Sequence, residues 1–363
     1  MTAAAALTQD EAFARIRLLR SPNVGPISYT QLLRRFGTAQ AALDALPDLA
    51  SRGGRDYRPA PAEAIEREVA AVRAAGARYL FHDAPGYPEL LGRIEGAPPI
   101  LTVRGDLALA AQPCVALVGA RNASAAAVKL ARDFAHALAQ AGFAVVSGLA
   151  RGIDGAAHEG ALPATIGVIA SGIDVAYPPQ HEALQERIAQ DGLLVAEQPP
   201  GTEPRGSHFP SRNRIIAGLA LGTLVVEAAP KSGSLITARL AGDQGREVFA
   251  IPGSIHSPLS KGCHKLIREG AKLVETARDI LEELHLGGTG AGPGTGAAGL
   301  QSTEGAPMSS VVLEALGYDP VDLDTLIGRT GLAPAAVAAE LGELEIAGTI
   351  GAVPGGRWQR RAG

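Results

Sequence analysis

The sequence has few aromatic residues, few cysteines and no excess of positive charge. Aromatic residues make up 4% of the 363, so an extensive base-stacking surface is excluded. The formal net charge is −4, and any nucleic-acid site must therefore be a local basic patch. The two cysteines, Cys114 and Cys263, lack CxxC spacing, so we expect buried, reduced thiols rather than a disulfide or zinc site.

Membrane and targeting signals are also missing. No uninterrupted apolar stretch is long enough to span a bilayer. The N-terminus soon becomes acidic at Asp10 and Glu11, unlike a secretory signal. We therefore expect a cytoplasmic protein that has no membrane partner.

The motifs of several enzyme classes are absent as well. Without a GxxxxGK[ST] motif, an ATP-driven motor is disfavoured. GxGxxG is missing too, since Arg121 and Ser124 stand where that fingerprint has glycines, which disfavours NAD. No group of carboxylates resembles a two-metal nuclease site. We expect neither a cofactor nor a metal.

Apolar periodicity and glycine content divide the chain into four predicted regions. They are a small helical domain (1–60), a sheet domain (61–286), a flexible linker (287–308) and a winged helix (309–363). In the first region, a helix-hairpin-helix whose turn touches a phosphate is an alternative. Its turn has one glycine, Gly25, where such hairpins usually carry two.

The sheet domain alternates short apolar runs with helices. Six runs are predicted as strands, at residues 115–118, 144–147, 165–170, 193–196, 223–226 and 248–251. Two more, at 78–81 and 100–104, could extend the sheet. This alternation predicts right-handed βαβ units, so we expect an α/β fold with an open, mostly parallel, Rossmann-like sheet.

The segment around the fifth of those strands carries the strongest functional signal. Arg212 and Arg214 precede the strand, and Lys231 follows it in a turn of serine and glycine. Backbone N–H groups of such a turn point at an anion, and a helix starting near Ser234 adds the positive end of its dipole. No acidic residue lies between residues 204 and 226, so we expect a phosphate-binding surface.

Glycine turns also end the first two strands of this alternation. Gly119 and Arg121 follow the first strand, where a guanidinium suits a phosphate diester, and Ser124 can cap the next helix. Gly148 ends the second strand. The basic candidates for one groove at the carboxyl ends of the strands are Arg121, Arg151, Arg205, Arg212, Arg214, Lys231 and Arg239.

Four other side chains have both a functional and a structural interpretation. Asp154 and His158 share a helix face and could do acid–base chemistry, or they could orient the helix. Glu227 could be a catalytic carboxylate or a hydrogen-bond anchor for its loop. Phe209 could stack on a base or pack beneath its own loop. The structural interpretation is favoured for each.

In combination, these motifs resemble the DNA-processing protein A (DprA/Smf) family. The similarity rests on residues 115–124, 147–154 with His158, 177–179, 209–218, 231–238 and 251–253. The helical region at 1–60, as a SAM-like domain, and the terminal winged helix also look like the family's layout. The resemblance implies a non-catalytic protein that binds single-stranded DNA in natural transformation. Such proteins protect incoming DNA, dimerise through the Rossmann-like domain and help to load RecA.

By motif match, the resemblance assigns Arg121 and Lys231 to the DNA backbone. The supporting residues are Gly119, Ser124, Gly148, Arg151, Ser211, Arg212, Asn213, Arg214, Ser232, Gly233 and Ser234. Ala120 departs from the pattern, because the family usually has serine there.

The winged helix is predicted to be something other than a DNA reader. Its third helix, residues 334–347, has no basic residue and carries Glu340, Glu343 and Glu345. A duplex would repel this helix, so we expect a module for protein interaction or regulation. Contacts between DNA and the basic residues of the final segment, 357–361, are the alternative.

The sequence thus predicts an ATP-independent, sequence-tolerant single-strand binder. If about five phosphates are neutralised, the logarithm of affinity should fall with the logarithm of salt at a slope of roughly −3.5. The rival is a nucleotide-acting, Rossmann-like phosphoribohydrolase that would use Glu227. Those enzymes carry a Pro-Gly-Gly-x-Gly-Thr turn where this chain has Lys-Ser-Gly-Ser-Leu.

Overall fold

The computed structural model describes residues 7–51, 57–286, 311–316, 320–346, 349–353 and 356–360. These residues fall into two units. The sheet unit contains residues 67–286, and the helical unit contains the described residues of 7–66 and 311–360. The predicted linker, residues 287–308, lies outside the described residues.

The eight strands predicted for the sheet begin and end close to their predicted positions. The helices are α1 (Gln9–Arg20), α2 (Pro26–Phe36), α3 (Ala39–Ser51), α4 (Ala62–Ala74), α5 (Glu89–Gly92), α6 (Ala125–Gln140), α7 (Ile153–Ala161), α8 (Glu182–Asp191), α9 (His208–Leu219), α10 (Ser234–Asp243), α11 (Lys261–Arg268), α12 (Ala277–Leu286), α13 (Val311–Ala315), α14 (Leu323–Thr330) and α15 (Pro334–Ile346). The strands are β1 (Arg78–Phe81), β2 (Ile100–Gly105), β3 (Cys114–Val118), β4 (Ala144–Ser147), β5 (Thr165–Gly172), β6 (Leu193–Gln198), β7 (Gly222–Val225), β8 (Glu247–Ala250), β9 (Lys272–Leu273), β10 (Val321–Asp322), β11 (Ile350–Val353) and β12 (Arg357–Arg360).

Among the described residues, nine strands form one sheet in the order β1-β2-β6-β5-β4-β3-β7-β8-β9. Neighbours from β6 to β9 are parallel, whereas β2 runs antiparallel to β6 and β1 antiparallel to β2. This confirms the expected open, mostly parallel, Rossmann-like sheet and its extension by two strands. β9 is absent from the prediction because two residues leave no periodicity.

Both faces of the sheet are covered by helices. On β3, Val115 and Leu117 belong to the core that includes residues of α6 and α7. Ala116 and Val118 point the other way, into the core that includes residues of α9. Burial on both faces explains why the central strands are continuous apolar runs.

The order of the strands reverses next to β3. The chain adds β4, β5 and β6 toward one edge, crosses back, and then adds β7, β8 and β9 on the other side of β3. Open α/β sheets bind ligands outside the carboxyl ends of the strands at such a switch point. The topology therefore predicts a ligand site between the ends of β3 and β7.

The helical unit contains two small cores. One gathers apolar residues of α1, α2 and α3, and the other gathers those of α13, α14 and α15 with the three-stranded sheet β10-β12-β11, which is the expected winged helix. α15 packs on α2: Gln31 Nε2 donates to the Ala338 carbonyl at 2.8 Å, and Arg35 pairs with Glu343.

Two further sequence expectations concern cysteines and membranes. Cys114 and Cys263 are both buried and free, and burial raises the pKa of the Cys114 thiol to about 12. Of the helices in the described parts of the chain, none combines the length and the apolar character that a bilayer crossing requires.

Candidate nucleic-acid interface

A cleft of about 610 Å³ opens at the switch point between β3 and β7. Its walls include residues 118–122 after β3, residues 231–234 beyond β7 and the first turns of α9. These loops are far apart in sequence. They meet because β3 and β7 are parallel neighbours whose carboxyl ends lie at the same edge of the sheet.

Of the basic residues that the structure describes, Arg121, Arg212 and Lys231 line the cleft. Arg121 and Lys231 are exposed, one on the β3 side and one on the β7 side. The Arg121 Cζ atom also lies 5.2 Å from the centroid of the Phe209 ring, which is within cation–π range. Two exposed cations therefore face one space.

Arg212 differs from these two because it is only 6% exposed. Its Nη1 donates to the carbonyl of Gly148 at 2.6 Å and to that of Val168. Burial lowers the pKa of Arg212 to about 10, while nearby Asp154 opposes that change, so the guanidinium stays charged at neutral pH. Arg212 thus ties α9 to β5 and to the end of β4, and adds a fixed positive charge beneath the cleft.

Asp154 is the acidic residue beside that charge. Its Oδ2 accepts N–H groups of Gly148 at 3.2 Å and Ala150 at 3.4 Å. Burial raises the pKa of Asp154 to about 6, although Arg212 and the two backbone N–H groups pull it down. The carboxylate therefore fixes the β4–α7 loop and partly offsets the charge of Arg212.

His158 fixes the same loop from the other side. Its Nε2 accepts the N–H of Leu149 at 3.3 Å, and its Nδ1 lies 2.7 Å from the Thr165 hydroxyl, which itself donates to a backbone carbonyl. Burial lowers the pKa of His158 to about 3, so the ring is neutral. Leu149 is held at a φ of 55°, a left-handed conformation that such contacts stabilise. These contacts support the structural interpretation of Asp154 and His158 over an acid–base role.

Glu227 accepts a hydrogen bond from the protein itself. Its Oε2 lies 2.8 Å from the N–H of Ser124, at the start of α6, and its carbonyl accepts the N–H of Ala120 at 2.7 Å. Ser124 caps α6, since its hydroxyl accepts the N–H of Ala127 at 3.1 Å. Both observations favour the anchoring role of Glu227, and they give Ser124 a structural role.

The turn before α10 faces the cleft with polar groups. Ser232, Gly233 and Ser234 all line it, and the two serine hydroxyls lie 2.7 Å apart. The first turn of α10 carries no acidic residue. Since a helix N-terminus bears partial positive charge, this wall attracts anions beside Lys231.

The two predicted anion-turn glycines are required by close packing. A Cβ on Gly119 would lie 2.5 Å from Ile153 Cγ1 and 3.0 Å from the Glu227 carbonyl. A Cβ on Gly148 would lie 2.6 Å from Arg212 Nη1. Glycine therefore lets the loops after β3 and β4 approach their neighbours.

The structure brings together most of the predicted site residues. Those that line the cleft are Gly119, Arg121, Arg212, Asn213, Lys231, Ser232, Gly233 and Ser234. Gly148 lies behind Arg212, and Arg214 pairs with Glu197 instead. The other predicted residues outside the lining are Ser124, Arg151, Ser211, Arg205 and Arg239.

Sequence reasoning missed Ile236, which lines the cleft and is 43% exposed. It lies in the first helical turn of α10, shortly after Lys231. An apolar residue so close to a polar anion turn is the signal that could have identified it.

Three family models match successive parts of the chain. The model described as DNA recombination-mediator protein A matches residues 78–285, a DprA-like N-terminal HHH domain matches 9–71, and a DprA winged helix domain matches 297–356. Protein Smf of Synechocystis sp. is 37% identical over 319 residues, which cover 78% of this chain and 80% of that protein.

Two solved structures resemble this one. The X-ray structure of DNA processing protein A from Streptococcus pneumoniae has a TM-score of 0.63 at 37% identity, covering 76% of this chain and 98% of that one. A structure described as showing the single-stranded DNA binding mode of DNA processing protein A from Helicobacter pylori has a TM-score of 0.53 at 29% identity, covering 58% and 96%. The chain therefore belongs to the DprA/Smf family, the DNA recombination-mediator protein A family.

Proposed function

We propose that the cleft between β3 and β7 binds single-stranded DNA and that the protein does so without catalysing a reaction. The observation that carries this proposal is the placement of Arg121 and Lys231. Both are exposed, and they face one cleft at the switch point of a protein whose net charge is −4. The relative from Helicobacter pylori, described by its single-stranded DNA binding mode, supports the choice of ligand.

Phosphates supply most of the binding in this proposal. Arg121 and Lys231 neutralise backbone charge, and the turn at residues 232–234 adds the serine hydroxyls and the positive end of the α10 dipole. Contacts to phosphate carry no sequence information, so binding is tolerant of base sequence. A cleft of about 610 Å³ has room for nucleotide units of one strand.

The absence of catalysis is proposed from the carboxylates. Glu227 accepts the Ser124 N–H, and Asp154 is buried against two backbone N–H groups. Both carboxylates accept hydrogen bonds from backbone N–H groups, which supports structural roles for them. A phosphoribohydrolase that depends on Glu227 therefore gains no support from this geometry.

The resemblance to the family also motivates a proposed biological role. We extend the proposal to protection of incoming DNA in natural transformation, help in loading RecA, and a homodimer formed through the sheet unit in the cytoplasm. The edge of the sheet at β9 supports the dimer, because Leu273 is 50% exposed there. The acidic α15 fits a module for regulation or protein contact rather than one for DNA.

The test is a binding titration with single-stranded and duplex oligonucleotides of one length over a salt series. We expect tighter binding of the single strand, similar affinity for different base sequences, and a log–log salt slope of about −2 if the three cations of the cleft each neutralise one phosphate. Preference for the duplex, or affinity that does not change with salt, would contradict the proposal.

A further inference from the structure

An aromatic pair lies at the edge of the cleft. Phe209, on the first turn of α9, lines the cleft, and the ring of Tyr177 packs against it with centroids 5.6 Å apart and planes tilted by 54°. On the cleft side, the guanidinium of Arg121 lies 5.2 Å from the same Phe209 ring. The three side chains form a continuous row that begins at the phosphate-binding cation.

The two rings are not equally available to a ligand. Phe209 is half-buried and already contacts both Arg121 and Tyr177. Tyr177 is 40% exposed and lies outside the cleft lining. An incoming base therefore meets the tyrosine ring, while the phenylalanine ring supports it.

The loop that carries Tyr177 is fixed by polar contacts. The Val175 carbonyl accepts the Ser171 hydroxyl at 2.8 Å and Gln185 Nε2 at 3.3 Å, and Asp174 Oδ1 accepts the N–H of Gly201 at 2.8 Å. A rigid aromatic side chain on a fixed loop loses little conformational entropy when a planar group stacks on it.

We propose that Tyr177 is a base-stacking subsite that extends the DNA path beyond the cleft. Arg121 lies 5.2 Å from the Phe209 ring, and the Phe209 ring lies 5.6 Å from the Tyr177 ring. These distances place the Tyr177 ring close to the nucleotide whose phosphate Arg121 binds, or to the next nucleotide along the strand. Each base has a π-face, so such a platform recognises nucleobases without reading their sequence. This inference rests on the proposed function, and it adds recognition of a base to recognition of the phosphates.

The experiment uses the full chain and a short oligothymidylate, together with copies that carry one abasic site at each position in turn. In the wild type, one abasic position should weaken binding by about tenfold, the effect of losing one stacked base. Tyr177→Ala should weaken binding of the intact oligonucleotide by about the same factor and should lose the sensitivity to that position. The salt slope of the variant should stay that of the wild type, because no charge is removed.

Two matched variants separate stacking from packing. Tyr177→Phe keeps the ring and should retain full affinity, whereas Tyr177→Leu keeps apolar bulk against Phe209 and should bind as weakly as Tyr177→Ala. Thermal unfolding checks that each variant is folded.

Three results overturn the subsite. They are full affinity in Tyr177→Ala, unchanged sensitivity to the abasic position in that variant, and a reduced salt slope, which would mean that the loss acts through Arg121. These results are interpreted only if the wild type binds the oligothymidylate and its affinity falls with salt. If the wild type does not bind in this way, the proposed function itself is wrong.

Discussion

Neutralising the two exposed cations of the cleft gives the sharpest test of how the protein holds DNA. Arg121 and Lys231 face the same space from the β3 and β7 sides. Neither is among the partners of the ion pairs that the described residues form. Substituting both with alanine therefore removes two charges without breaking an ion pair, at the cost of the contact between Arg121 and the Phe209 ring, whereas a change at Arg212 would disrupt buried hydrogen bonds.

The expected magnitude follows from the number of cations in the cleft. The sequence alone suggested about five phosphates, but the described part of the chain brings three cations to the cleft, which corresponds to a slope of about −2. Removing Arg121 and Lys231 should change the slope to about −0.7. Between about 50 and about 200 mM salt, the wild type should lose affinity about 20-fold and the double variant only about threefold.

Fluorescence anisotropy with a labelled oligothymidylate measures this slope. Lys129→Ala is the matched control, because it also removes one positive charge but lies on α6 in an exposed ion pair with Asp133 at 3.3 Å. Its slope should equal that of the wild type. A double variant that stays folded and keeps the wild-type slope would refute the assignment of the cleft. A salt slope reduced as much in Lys129→Ala as in the double variant would also refute it.

Three further outcomes are expected. Glu227→Ala should lower the free energy of unfolding by about 1–3 kcal/mol in urea titrations, because the Ser124 N–H loses its carboxylate partner; an unchanged value would contradict the anchoring role. The pKa of Asp154 is raised above its ordinary 3.8 to about 6, so the stability this residue contributes is complete below pH 3.8 and is lost as the pH rises through 6. The free energy of unfolding of the wild type relative to Asp154→Asn should therefore fall by about 3 kcal/mol over that interval. A difference that does not change with pH would refute the raised pKa of Asp154. Removal of residues 287–363 should leave single-strand affinity unchanged in the same anisotropy assay, because the residues that line the cleft belong to the sheet unit. Loss of that affinity would indicate that the winged helix carries the binding site.

The position of the site was predictable from the sequence because it depends on topology. Gly119 and Lys231 are separated by more than a hundred residues, yet each follows an apolar run that reads as a parallel strand. Parallel strands present their carboxyl ends on one edge, so turns of glycine, serine and basic residues at those ends were expected to meet. The structure shows this meeting between β3 and β7.

The roles of individual arginines were not predictable in the same way. Arg212 and Arg214 lie two residues apart on α9, and nothing in their spacing tells that one is buried under the cleft while the other pairs with Glu197. Their partners, the Gly148 carbonyl and Glu197, come from the loop after β4 and from β6. The contact between Tyr177 and Phe209 is equally non-local, and neither hydrophobic periodicity nor turn chemistry carries such information.

The bond between Glu227 and the first turn of α6 has a consequence for how a strand would lie in the protein. One helix start beside the switch point already holds an internal counter-ion, whereas the start of α10 has no acidic side chain in its first turn. The positive end of a helix dipole therefore remains uncompensated by an acidic side chain at α10 but not at α6. A phosphate beside Lys231 would also feel the dipole of α10, whereas a phosphate beside Arg121 would meet the guanidinium alone, so the two phosphate contacts would differ in strength without any contact to the bases.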